Sequence, residues 1–245
     1  MIPAIDLIAA DVVVAAAALF GAFVSGLTGF AFGLVVLGAW LQVVPPQVAG
    51  PLVVICGIFT QSVSFASVRR FVDWRRLWPF LAFGLLGVPL GVWLLPRIDP
   101  AWFKRGTGVF LVLTASYQLF GRAGIVHAGG RAADGAVGFV GGVMSGIAGL
   151  SGAVPTLWTM MRGWRKDHAR AVYQPFNMAI LSVTLVNLYL SGNLSGEHLR
   201  YTLISIPSLL IGAGAGLAAY RWIDAELFRR VVLWLLLASG VFLVV

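Results

Sequence analysis

Apolar runs of about 18 to 22 residues follow one another from Leu7 to Val245, the length that crosses a bilayer core of about 30 Å as a helix. Charged residues are confined to the short gaps between these runs. A chain that is 60% hydrophobic and 11% charged, with a mean hydropathy of +0.94, has more apolar surface than any water-soluble fold can hide. The whole chain is therefore expected in the membrane, as an all-α polytopic protein.

The formal charge of +8 does not point to nucleic acid here. The basic residues lie in loops, where lipid headgroups and membrane orientation account for them. The lone cysteine, Cys56, sits inside an apolar run and excludes an internal disulfide and any multi-thiolate metal site. Met1 to Asp11 carries two acids and no Lys or Arg, the wrong charge for the start of a signal peptide, so the first helix is expected to be retained.

The chain also repeats itself. An offset of 120 lays Ser25-Gly26-Leu27-Thr28-Gly29 on Ser145-Gly146-Ile147-Ala148-Gly149, and Ala49 on Ala169. Further along the offset becomes 125, placing Gly87 and Gly91 on Gly212 and Gly216, Ile98-Asp99 on Ile223-Asp224, and Phe103-Lys104-Arg105 on Phe228-Arg229-Arg230. Five extra residues near Gly192 to Glu197 account for the change. Glycine-rich apolar stretches can match by chance, but agreement of order and spacing across both halves favours two copies of one unit. They would occupy residues 1–120 and 132–245, joined by a glycine-rich, basic linker over 121–131.

Each unit then reads as one long first element and three ordinary spans: 7–44, 47–68, 76–96 and 102–120, then 132–162, 169–191, 199–220 and 226–245. A straight helix over 7–44 would be about 57 Å long, far beyond a bilayer. Both first elements must break, and the small residues at Ser25 to Gly29 and Ser145 to Gly152 permit it.

The basic residues test how. Eight full crossings would divide the 17 of them 7 to 10, almost no bias. If each first element is a hairpin returning to its own side, Arg69, Arg70, Arg75, Arg76, Arg122, Arg131, Arg162, Arg165, Lys166, Arg170, Arg221, Arg229 and Arg230 share one face. The other face keeps only Arg97, Lys104, Arg105 and Arg200. Because cytoplasmic loops collect Lys and Arg, this arrangement is the expected one, with the linker cytoplasmic and both termini on the opposite side. An odd number of crossings per unit turns the second unit upside down, the inverted repeat of many secondary transporters.

Such proteins bind near the bilayer midplane at broken helices. Backbone N–H groups at the helix starts near Phe30 and Ser151, with the positive end of the dipole, would suit an anion. Ser25, Thr28, Ser145 and Ser151 add hydroxyls, although Gly and Ser could serve only close helix packing. Tyr173, Gln174 and Asn177, around Pro175, and Gln61 with Ser62 in the equivalent span, are amides and hydroxyls that either join helices or line a pathway. No ionisable residue is expected well inside a span: Asp6, Asp11, Asp73, Asp99, Asp134, Asp167, Asp224, Glu197 and Glu226, with His127, His168 and His198, all fall at ends or in loops. A carboxylate cation site or proton relay would need one, and a hydrolase would want a base beside its nucleophile. No metal, cofactor or enzymatic role is expected.

At these residues the chain resembles the TauE/SafE family, the sulfite exporter group of bacterial membrane permeases. Ser25-Gly26-Leu27-Thr28-Gly29-Phe30, Ser145-Gly146-Ile147-Ala148-Gly149-Leu150-Ser151-Gly152 and His168-Ala169-Arg170-Ala171-Val172-Tyr173-Gln174-Pro175-Phe176-Asn177 carry the resemblance, which spans essentially the whole chain. Tyr173-Gln174-Pro175 stands where many members look to have Gly-Thr-Ser. The resemblance implies export of sulfite or an organosulfonate such as sulfoacetate across a bacterial inner membrane, and the arrangement of basic residues then makes both termini periplasmic. The expected substrate contacts are Ser25, Gly26, Thr28, Gly29, Phe30, Ser145, Gly146, Gly149, Ser151, Gly152, Gln174 and Asn177. Expected partners are the anion and membrane lipid, with a second copy of the chain as a candidate and no nucleic acid. An anion channel and a non-transporting membrane enzyme or assembly factor are the rival classes.

Overall fold

The computed structural model describes residues 4–68, 72–120, 129–164 and 166–219, with some positions within 230–244. Its helices are α1 (Ala4–Thr28), α2 (Phe32–Val43), α3 (Pro46–Val68), α4 (Trp74–Leu94), α5 (Pro100–Phe120), α6 (Gly130–Ala148), α7 (Ala153–Met161), α8 (Lys166–Leu190) and α9 (Gly196–Ala219), and there is no strand among the described residues. Helices are what hydrocarbon permits, since every backbone polar group must be satisfied within its own segment. Among the described residues five helices are long and apolar enough to cross a membrane: α1, α3, α4, α8 and α9. The span expected over 102–120 is α5. The final span over 226–245, most of the 121–131 linker, and Arg69, Arg70, Arg122, Arg165 and Arg221 lie largely or wholly outside the described residues.

Both long first elements break where glycine allows it. The N–H of Gly29 donates to the Ser25 carbonyl at 2.7 Å and that of Gly149 to the Ser145 carbonyl at 2.8 Å, and the two glycines take φ of +83° and +70°. This left-handed geometry costs little only without a Cβ. The chain then folds back: the Trp40 indole of α2 donates to the Val14 carbonyl of α1 at 3.2 Å, and the Trp158 indole of α7 donates to the Asp134 carboxylate of α6 at 2.7 Å. At the offset of 120, Val14 and Asp134 are matching positions. Each first element is thus a hairpin with a long outgoing and a short returning arm.

α3 and α8 pass through the middle, with 67% and 61% of their apolar windows buried against 33 to 39% for α1, α4 and α9. Around them α4 packs on α6 and α1 on α9. Neither Gly87 nor Gly91 of α4 has room for a Cβ, because the Phe139 and Val143 carbonyls of α6 touch them; Gly212 and Gly216 of α9 meet the Leu19 and Phe23 carbonyls of α1 in the same way. Small residues that bring backbones together are how helices associate where lipid removes the hydrophobic drive. Outside, Leu86, Leu113, Leu203 and Leu210 are exposed as lipid would require, and Trp74, Trp78, Trp93 and Trp102 are exposed near helix ends, where interfacial aromatics belong.

The ionisable groups keep to span ends, as expected, but three of them lie further into the packing than loop charges would. Arg170, counted with the loops, lies more than a turn inside α8. Asp134 is buried within α6, and His198 is buried in the first turn of α9, bonded to Ser195 and to the Gln47 carbonyl. Asp134 and His198 are held by polar partners near helix ends, which apolar periodicity does not report.

Candidate functional site

The two hairpin tips meet. Phe30, Phe32, Gly33 and Leu34 from the first and Gly149, Leu150, Ser151, Gly152 and Ala153 from the second line one cavity, closed by Val53, Gly57 and Gln61 of α3 and by Leu181 of α8. It has a volume of about 20 Å³, room for roughly one water. Phe32, Gly33 and Leu34 at the start of α2 border it, and no side chain caps that start at Ala31, so early backbone N–H groups there are left without an intrahelical partner.

The expected residues divide into groups. Phe30, Gly149, Ser151 and Gly152 line the cavity. Asn177 stands directly behind it: the Ser151 hydroxyl donates to the Asn177 side-chain oxygen at 3.3 Å, and a Cβ on Gly152 would strike the Asn177 amide. The Asn177 amide nitrogen is buried with no hydrogen-bond partner among the described residues, and so is the Gln61 side-chain oxygen in the cavity wall. Two unpaired buried amide atoms at one small cavity cost free energy, of order 1–3 kcal/mol each, unless water or a ligand completes them.

Gln174 attends the first tip, donating to the Gly29 carbonyl at 3.5 Å, while the Tyr173 hydroxyl donates to the Thr28 carbonyl at 3.1 Å. The Arg170 guanidinium lies beside Gly29, where the missing Cβ leaves space for it and for the Gln174 amide. A cation and an amide donor there complement the negative end of the α1 dipole. Thr28 spends its hydroxyl inside the turn, donating to the Val24 carbonyl at 2.9 Å and accepting from Phe30 and Ala31 N–H at 3.5 and 3.4 Å.

Ser25 is fully buried with an unpaired hydroxyl among the described residues. Ser145 meets Thr184 at 2.8 Å; since Thr184 donates to the Ile180 carbonyl, Ser145 is the donor. Gly26 and Gly146 face α9 and α4, where they allow backbone contact and do not line the cavity. Sequence reasoning gave no site role to Arg170 and left Gln61 open between joining helices and lining a pathway. Arg170 precedes Tyr173 and Gln174 by three and four positions, so one helix face carries all three, a spacing readable beforehand.

Among the described residues no group of His, Cys, Asp and Glu is placed to hold a metal ion. The site instead offers amide and hydroxyl donors, helix-start N–H groups and one nearby guanidinium, a set suited to an oxyanion.

Among protein-family models, the one described as Sulfite exporter TauE/SafE matches residues 14–243. Comparison with curated proteins and with solved structures gave no match. Since the match covers nearly all of the 245 residues, the chain belongs to the TauE/SafE sulfite exporter family.

Proposed function

We propose that this protein exports a small oxyanion, sulfite or an organosulfonate such as sulfoacetate, from the bacterial cytoplasm, binding it between the two hairpin tips. The observation that carries this reading is the junction itself: two glycine-broken helices converge on one buried cavity beside the unpaired polar atoms of Gln61 and Asn177. Ser151, Asn177 and the N–H groups at the start of α2 would contact the anion, and Arg170 and Gln174 would hold the first tip around it.

At about 20 Å³ the cavity has room for roughly one water. Substrate therefore enters only when the tips part, and their alternate parting toward each face is the transport cycle. The reading treats residues 1–120 and 132–245 as inverted copies. It is supported by the matching of Gly87 on Phe139 with Gly212 on Leu19, and of Gly91 on Val143 with Gly216 on Phe23, at the offsets of the sequence repeat. Two such halves rocking around a fixed site is how inverted repeats give alternating access. The arginine-rich face lies in the cytoplasm and both termini in the periplasm.

Export needs no coupling ion, because an anion leaving a negative cytoplasm gains about 2.3 kcal/mol per charge per 100 mV. In reconstituted vesicles, sulfite efflux should follow an imposed potential with no pH gradient present. Efflux that ignores the potential and tracks only a pH gradient would defeat the uniport, and single-channel currents would replace alternating access by a pore.

A further inference from the structure

We infer a second anion site on the arginine-rich face, a vestibule between the start of α4, the start of α6 and the end of the second hairpin that holds one oxyanion group on Arg75 and Arg131. The vestibule has a volume of about 490 Å³, and its lining includes Arg75, Arg76, Arg131, Arg162, Asp134 and Trp164. That is space for a sulfonate or a phosphate headgroup, in the size range of small-molecule sites.

The argument turns on what stands at the matching place on the opposite face. There Asp11 of α1 accepts from Arg200 of α9 at 2.5 Å, an ion pair across the contact between those helices. An offset of 120 carries Asp11 to Arg131, and an offset of 125 carries Arg75 to Arg200. The contact of α4 with α6 therefore has two guanidiniums where the contact of α1 with α9 has a guanidinium and a carboxylate.

The acids present do not make up the difference. Asp73 pairs with Arg76 at 3.3 Å, and Asp134 is taken by the Trp158 indole at 2.7 Å and by Arg162 at 3.6 Å. Neither Arg75 nor Arg131 forms an ion pair among the described residues. Arg76 and Arg162 are further fixed against Trp164, with ring-centroid distances of 4.9 and 5.9 Å, so the walls are held by cation–π contacts. Two like charges lining one cavity repel, and an oxyanion between them converts that repulsion into paired, fork-shaped hydrogen bonds. The ligand comes either from solution, as sulfite or an organosulfonate waiting at the entrance, or from the bilayer, as a lipid phosphate. The site draws on the proposed transport only for naming the soluble anion.

The test uses the full chain in neutral detergent after delipidation, titrated with sulfite by calorimetry, together with native mass spectrometry of protein reconstituted with phosphatidylglycerol. Arg131→Asp rebuilds the ion pair of the opposite face and should weaken one binding component by roughly tenfold or more, whereas Arg131→Lys, which keeps the charge and loses the fork, should weaken it less. The component should also weaken as salt rises, since both arginines are exposed. An arginine-dependent sulfite component identifies the soluble ligand; retained phosphatidylglycerol that Arg131→Asp alone removes identifies the lipid. If neither ligand responds to Arg131→Asp, nor to Arg75→Gln with Arg131→Gln in a monodisperse sample, the inference is overturned. Failure of potential-driven efflux with arginine-dependent binding intact would remove the transport reading and leave this site standing.

Discussion

At the scale of single residues, the hairpin tips contain hydroxyls and amides that look alike in sequence and have unlike surroundings. Ser145 gives its proton to Thr184 and Thr28 is used within its own turn, whereas Ser25 and the Asn177 amide nitrogen are buried and unpaired among the described residues. Removing a neutral partner of a charged ligand costs about 1.5 to 3 kcal/mol, roughly ten- to a hundredfold in affinity. The double variant Ser25→Ala with Ser151→Ala should weaken sulfite binding by that factor in calorimetry. Asn177→Asp keeps the shape and places a carboxylate behind the cavity, so sulfite efflux from vesicles should fall to background. Unchanged affinity in the first variant, or normal efflux in the second, would move the substrate away from the tips.

At the scale of elements, the hairpins rest on turn glycines and the helix pairs on contact glycines, which predicts where added volume is tolerated. Gly142 meets the Gly84 carbonyl and Gly212 the Leu19 carbonyl, so Gly142→Val and Gly212→Val should each cost about 1–3 kcal/mol by overpacking. Thermal unfolding in detergent would read this as a lowered midpoint. By contrast, Gly106 and Gly214 have open space around the Cβ position; Gly106→Ala and Gly214→Ala should be neutral or raise the midpoint, because glycine in a helix interior costs about 1 kcal/mol relative to alanine. If all four variants behaved alike, helix contact would not be the reason for these glycines.

At the scale of the whole molecule, orientation follows from the hairpins. If each first element returns to its own face, Arg70, Arg122, Lys166 and Arg229 face the cytoplasm, while Lys104 and both termini face the periplasm. Single cysteines at these positions, in a background with the buried Cys56 replaced, should react with an impermeant thiol reagent in intact cells only at the periplasmic set. Labelling of residue 166 from outside, with residue 122 protected, would make the second hairpin a full crossing in the membrane.

The sequence by itself determined the class and much of the element plan. Apolar run length defines a helix wherever hydrocarbon leaves the backbone no other partner, and a 38-residue first element cannot be one straight span, so the breaks near Gly29 and Gly149 were legible before any coordinates. The element bounds follow accordingly: the expected 47–68 is α3 at Pro46–Val68 and the expected 169–191 is α8 at Lys166–Leu190. Which polar groups are spent and which are left over was decided only by the tertiary structure. Ser145 and Ser25 are the same residue type at the same kind of break, and only the position of Thr184 pairs the one while the other is left without a partner among the described residues. Arg170 and Asp134 read only as charges near span ends, because local patterning reports how apolar a segment is and not what a charge touches. What holds a buried charge at a helix end is a partner distant in the chain, here the Trp158 indole on Asp134, and such partners exist only once the helices have packed.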